Sequence, residues 1–488
     1  SEVYGRNVGL IAAVLTAFSP AALLLNGTLM AHPAALFFAT LFMWSFLRME
    51  WARARSGWAV AAGAAIGVVF VIRPLSAIAV GLPFLLWGGV RAYADRASSH
   101  GHSFRSALHP LALTVVVALA VASAMPLFSL AATGEARTNL YQLVWPYDSV
   151  GFGEGHGRTG HTLAKGLRHA RFDLSLAAAD LFGWQLEPIS PQLAEYLRSG
   201  ASSWPARGFS FVLLPIGALL GLTAHRGFAG DLALRLKLVA IWLTGAVCWL
   251  LLPWLLSWFG ASPGLAGDTR FSWLWVVVAL VWLLLPLPAL SRWRSEREVP
   301  FTWLLVAVTL GLVILHIAYW TGSQRYSTRY YFEALGAAAL LSAIPLARVA
   351  VRRWRIVTYA TLVGVSMLGL VRYSMPRIAS LRGFNGIDRT LLEEVEARRL
   401  DDRDQLVLVS CEGRDRWQWY GALLAVTSPY LDGDIVAARD LSDESTREII
   451  ARFSERQLLL VRIDETGWCF PPSFRSDQSR TAAGGQNG

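Results

Sequence analysis

The stretch "WTGSQRYSTRYYFEALG", Trp320–Gly336, sets Arg325 and Arg329 among Tyr326, Tyr330 and Tyr331, with Glu333 one turn further on. A guanidinium grips phosphate through a planar bidentate fork, and tyrosine adds a hydrogen bond at interfacial depth. The chemistry implied is capture of a phosphate-bearing group. The alternative is that the arginines pair with lipid headgroups or with Glu333. Arg73, in "VIRPLSAI", and His32, in "NGTLMAHP", also stand where apolar runs meet polar turns.

A second group lies in "YQLVWPYDSVGFGEGHGRTGHT". His156 and His161 are five residues apart. Metal binding would need further ligands, such as Glu154 or Asp148, in a fixed geometry. The other reading is a glycine-rich loop whose histidines bond to backbone or substrate. Asp148 and Glu154 are candidates for a general base, although loop acids more often cap helices. Asp180, Glu187, Asp268 and Arg270 complete the ionisable residues of these turns.

The elements that must position these residues are membrane spans. Of 488 residues 54% are hydrophobic and only 16% charged, against roughly 25% in soluble domains. The mean hydropathy is +0.43. About eleven apolar segments have the length to cross roughly 30 Å of hydrocarbon. They centre on 8–25, 33–48, 57–72, 75–90, 110–131, 208–224, 236–257, 272–290, 302–320, 332–347 and 356–371. The third and fourth are short and nearly merge across "VIRPLSAI", where two spans are easily misread as one re-entrant unit.

The net charge of +10 is almost all arginine, the only lysines being Lys165 and Lys237. No basic patch interleaved with aromatics points to nucleic acid. The charge instead collects in "RMEWARARS", "RAYADRASSHGHSFR", "HRGFAGDLALRLK", "SRWRSERE" and "RVAVRRWR". Alternate crossings put all five on one side, which the positive-inside rule makes cytoplasmic. His32, Arg73, the long loop 133–205, "FGASPGLAGDTR", the opening stretch and everything after residue 372 then lie outside. Arg325 and Arg329 break the charge rule, and such residues are candidates for function. Two amphipathic pieces of the long loop, 163–182 and 191–198, have the pattern of helices lying on a membrane surface.

After Tyr373 helical and strand patterns alternate, which predicts an extracytoplasmic α/β domain over 372–475 with a parallel sheet. The tail 476–488 has a disordered composition. Cys248 falls in an apolar run. Cys411 and Cys469 follow the first and last strands, so in an oxidising compartment a disulfide between them is a candidate, although "WCFPP" sets Cys469 further along. The chain opens at Ser1, without methionine, like a piece of a longer protein.

"YGRNVGLIAAVLTAFSPAALLLNGTLMAHPAALFFATLFMW", with "AAGAAIGVVFVIRPLSA" and "TRYYFEALGAAALLSA", resembles the GT-C membrane glycosyltransferases. The nearest group is family-39-like, the protein O-mannosyltransferases and lipid A aminoarabinose transferases. The resemblance covers roughly residues 4–371 and implies an inverting transferase using a polyprenyl-phosphate sugar donor at the outer face of a bacterial cell membrane. The acceptor would be a glycan, lipid or protein. The family's base is a carboxylate in the first outer loop, and the family's first two spans and that loop would lie upstream of Ser1. What carries over is the donor side: His32, Arg73, Arg329, Tyr330 and Glu333. The residues themselves add Arg325 as a weaker, rim-exposed helper and His161 and Arg270 as further candidates. No cofactor is expected, with a divalent metal left open. The alternatives are a polyprenyl-linked glycan ligase, polymerase or flippase, or a non-catalytic membrane scaffold. Spans almost uncharged in their middles count against transport.

Overall fold

A computed structural model describes residues 2–28, 30–52, 55–97, 104–185, 208–223, 268–286, 297–322, 329–351, 353–379, 382, 387–400, 403–411, 417–440, 443–464 and 467–470. The chain forms two compact units, Ser1–Arg377 and Ile378–Gly488. The expected span 236–257, the loop piece 191–198, Arg325, Tyr326, Glu187, Cys248 and the tail lie outside the described residues.

The first unit is helical. Its described helices are α1 (Arg6–Ala17), α2 (Pro20–Asn26), α3 (His32–Trp51), α4 (Arg55–Ile72), α5 (Pro74–Ala97), α6 (Phe104–Ala122) and α7 (Ala124–Thr133). There follow α8 (Leu140–Val144), α9 (Leu163–Asp180), α10 (Leu213–Thr223), α11 (Thr269–Leu284) and α12 (Glu298–His316). A 3-10 turn, Arg329–Ala334, leads into α13 (Leu335–Val349), and α14 (Arg355–Gly369) runs through a π turn at Leu370–Ser374 into α15 (Met375–Ala379).

The described residues do not confirm all eleven expected spans. Among the described residues six helices are long and apolar enough to cross a membrane, or seven if the bent pair α1–α2 is one span. That pair bends by 54° because Ser19 and Pro20 interrupt the apolar run: Ser19 Oγ accepts from the Ala22 amide at 3.4 Å and Pro20 opens the new helix. α3 has the length, but His32, Arg48 and Glu50 keep it from being apolar throughout. α10 and α11 are shorter, at 11 and 16 residues. Segments 57–72 and 75–90 are two separate helices, not one re-entrant unit. Pro74 has no N–H to continue α4, and a new helix starts there.

The junctions sort to two ends. Arg48 pairs with Glu2 at 2.6 Å, Arg91 with Glu50 at 3.4 Å, and Arg297 lies 4.4 Å over the Trp51 ring. The basic junctions therefore meet at one end. At the other, the starts of α3, α5 and the 3-10 turn meet the ends of α4 and α12. The piece 163–182, expected flat on a membrane surface, forms α9 and packs inward. Leu163, Gly166, Ala170, Asp173, Ala177 and Asp180 are all buried at alternating three- and four-residue steps.

The second unit is a four-stranded sheet of order β2-β1-β3-β4, with β1 (Gln405–Cys411), β2 (Ile435–Arg439), β3 (Gln457–Ile463) and β4 (Trp468–Cys469). The first three strands are parallel and β4 is antiparallel to β3. Helices α16 (Thr390–Ala397), α17 (Trp417–Val426) and α18 (Asp443–Arg452) cover both faces. Val407 and Val409 pack with Leu391, Val395 and Leu423, while Leu406 and Leu408 pack towards Ile449 and Phe453. This is why "LVLV" is apolar without alternation.

The expected disulfide does not form, since Cys411 and Cys469 are not bridged. Cys411 pairs across to Ile463, whose other partner is Trp468, so Cys469 lies two strands away and one residue out of register. One residue flips the side chain to the opposite face. Two strand spacings of about 4.8 Å each also exceed the reach of a disulfide.

Candidate functional site

Arg73 ends α4, its amide still donating to the Val69 carbonyl at 2.6 Å. Its side chain crosses to the turn Arg329–Ala334. There Nη1 donates to the Arg329 carbonyl at 2.7 Å and stands 3.4 Å from Glu333 Oε1. Glu333 is fully buried, so this ion pair carries its charge into the helical core. Both arginines approach Tyr330. The Arg73 and Arg329 guanidiniums sit 5.3 and 4.9 Å from its ring centre, and Arg329 Nη2 donates to its hydroxyl at 2.9 Å. A cation over a tyrosine face is attracted to the ring's electron density. One ring thus orients two cations that would otherwise repel.

Two histidines complete this shell. His316, the last residue of α12, stacks on Tyr330 at 5.3 Å and 18°. Its Nδ1 donates to the Leu312 carbonyl at 2.8 Å, which leaves Nε2 as the acceptor. His32 opens α3 within electrostatic reach of Arg73, Arg329 and His316, and neither of its buried ring nitrogens has a hydrogen-bond partner. Three inter-helix junctions therefore supply one cluster. It can offer guanidinium and imidazole N–H donors to an anion at the mouth of the helices.

The glycine-rich loop between α8 and α9 is sewn onto the same place. Val150 bridges Tyr319, and the Gly151 amide donates to the Ala318 carbonyl at 2.8 Å. Asp148 Oδ1 consequently accepts from Tyr319 Oη at 2.7 Å and Trp320 Nε1 at 2.6 Å. Tyr319 in turn stands edge-on to Tyr330 at 5.2 Å, so Asp148 is one aromatic ring removed from the arginines.

His161 belongs to the loop's own core. It is 1% exposed, stacks on Phe152 at 5.4 Å, and its Nε2 donates to the Ile317 carbonyl at 2.9 Å. Burial lowers its readiness to take a proton, and lowers that of neighbouring His169 further, to about 4. His156 instead bonds Ser149 Oγ at 2.7 Å. Among the described residues no three His, Cys, Asp or Glu side chains gather to hold a metal ion.

Of the expected site residues, the fold brings together Arg73, Arg329, Tyr330, Glu333 and His32, with Asp148 alongside. His161 sits in the adjoining loop core. Glu154 and Arg270 are exposed, Arg270 at the start of α11, where its amide is capped by Asp268 at 2.8 Å. Two residues escaped the sequence reading. His316 closes an apolar run and drew no attention. Asp173, 2% exposed on α9, lies within electrostatic reach of Tyr330 and Tyr331. Its signal was available: it is an acid inside a three-four apolar stripe.

Fold and site together fit a multi-pass membrane protein with a polar cluster at one end of its helices. No protein-family model, curated protein or solved structure matches the chain.

Proposed function

We propose that this chain is an integral membrane glycosyltransferase that takes a sugar from a polyprenyl-phosphate donor at the outer face of a bacterial cell membrane. The observation that carries the reading is the convergence of Arg73 and Arg329 on one tyrosine ring from two separate junctions. In this reading the mouth of the helices faces outward, at the depth of a lipid headgroup. Glu333 offsets much of the Arg73 charge, so Arg329 is the principal phosphate ligand and Arg73 its support. Transfer is an in-line displacement at the anomeric carbon. A carboxylate takes the acceptor's proton, the bond to the donor phosphate breaks, and the arginines stabilise the charge left on the lipid phosphate. Of the two loop acids, Asp148 is the better placed, held by two donors while Glu154 is exposed. The acceptor would be a glycan, lipid or protein.

The Arg73–Glu333 pair favours a rival reading, in which the cluster is only an ion-pair network holding helices together. Donor-dependent transfer of labelled lipid-linked sugar by membranes containing the full-length protein separates the two. Arg329→Lys keeps the charge but loses the fork, and should lower kcat/KM about ten- to a hundredfold. Wild-type turnover in that variant would favour the network.

A further inference from the structure

The basic end of the helical unit holds a cavity of about 360 Å³ that the reading above does not use. It opens beside the start of α1, between the start of α12 and the end of α13, and is lined by Tyr4, Gly5, Arg6, Asn7, Glu298 and Arg348 among others. Its volume is within the range of small-ligand sites, about 300 Å³ and upward. Gly5 has φ of 84°, and a Cβ added there meets nothing within 4 Å, so the space beside it is open.

The lining is built for an anion of low charge. Arg6 is exposed at the rim. Arg348 gives one Nη2–H to the Leu220 carbonyl at 2.9 Å, and a guanidinium has further donors to offer. Asn7 Oδ1 accepts from Tyr359 Oη at 3.4 Å, so its amide nitrogen can donate. The Tyr4 hydroxyl bonds Thr302 Oγ1 at 2.7 Å, which fixes the tyrosine as a wall of the cavity. Among the lining residues two side chains are positive, Arg6 and Arg348, and one is negative, Glu298. The excess is one positive charge. That balance matches a phosphodiester monoanion better than a dianionic phosphate monoester.

We propose that this cavity binds a phosphodiester group, gripped by Arg6 and Arg348 with Asn7 as an amide donor. Two sources carry that chemistry, a phospholipid headgroup and a free phosphodiester. The neighbouring junctions hold Arg48, Arg91 and Arg297, the kind of surface that attracts anionic lipids. The site is distinct from the Arg73–Arg329 cluster, and its test needs no sugar transfer.

The test is thermal unfolding of the purified full chain in neutral detergent, titrated with dihexanoyl phosphatidylglycerol. Its free headgroup, glycerophosphoglycerol, and phosphate-free dihexanoylglycerol are run in parallel. The lipid should raise the unfolding temperature of the wild type saturably, and dihexanoylglycerol should not. Arg6→Gln, at an exposed position that leaves the fold intact, should weaken the response about tenfold, and Arg348→Gln should do the same. A response to glycerophosphoglycerol equal to that of the lipid assigns the site to a free phosphodiester, and a response to the lipid alone assigns it to the membrane. Absence of any titration, an equal effect of dihexanoylglycerol, or an unchanged response in Arg6→Gln would overturn the proposal.

Discussion

The helical unit contains two clusters in which an arginine, an acid and a tyrosine meet, and they differ in closure. In the first, Asp180 of α9 accepts from the Tyr373 hydroxyl and stands 3.8 Å from Arg377 Nε. All three are buried, at 0%, 3% and 2% exposure. In the second, the Arg73 side chain is 12% exposed, Arg329 and Tyr330 sit on a short turn, and His32 keeps ring nitrogens with no partner. The closed cluster is shut off from solvent and ties α9 to α15. Its arginine is there for architecture. The open cluster keeps Arg73, Arg329 and His32 only partly buried, and that accessibility is what a binding site requires. Similar residue types thus carry different roles, decided by closure and not by composition.

That contrast is sharpest under mutation. Asp180→Asn should produce the largest effect, because it leaves Arg377 buried without its counter-charge at a cost of about 3–5 kcal/mol. The readout is a lowered unfolding temperature in detergent, largely restored by pairing Asp180→Leu with Arg377→Met. An unchanged unfolding temperature would show that the closed cluster is no staple. Next is Gly166→Ala. An added Cβ there falls onto the Ile317 carbonyl, and overpacking of that kind costs about 1–3 kcal/mol. Hydrogen exchange over 150–180 should rise while exchange in α4 and α5 stays as in the wild type.

Arg329→Lys should move the unfolding temperature far less than Asp180→Asn, even as it impairs donor handling. Equal losses of stability in the two variants would erase the distinction between the clusters. The smallest effect is that of pH on the loop core. His169 resists protonation down to about 4, against an ordinary 6.5 for a free imidazole, because burial disfavours the charged ring. The unfolded loop therefore binds a proton that the folded loop does not, and its stability falls as pH drops from about 6.5 towards 4. Hydrogen exchange of residues 150–170 at pH 7 and pH 5 reads this directly. His169→Phe should flatten the dependence.

The parts of this architecture that depend on local pattern were legible in the sequence. Continuous "LVLV" and "LLLV" runs between amphipathic helices can hardly be anything but a parallel sheet with both faces covered. Arg73–Pro74 marked a helix break because proline lacks an N–H. Two kinds of information were not local. The bend inside the first apolar run, at Ser19–Pro20, was not visible, because hydropathy does not sense a cap. The disulfide failed because β4 returns antiparallel beside β3, and neither cysteine reports on that reversal. The site was half legible. Arg73, Arg329 and Tyr330 stood out as charge and hydroxyl where a positive-inside pattern expects little. Asp173 and His316 looked like ordinary breaks in apolar faces until the helices were packed.

The proposed donor site requires that Arg329 and Arg73 bind a lipid-linked phosphate. Equilibrium binding of a fluorescent polyprenyl phosphate to the purified chain tests it without requiring catalysis. Saturable binding to the wild type is expected, weakened about tenfold or more in Arg329→Ala and unaffected in Arg270→Ala, an exposed arginine outside the cluster. Equal affinity of Arg329→Ala and the wild type would contradict it.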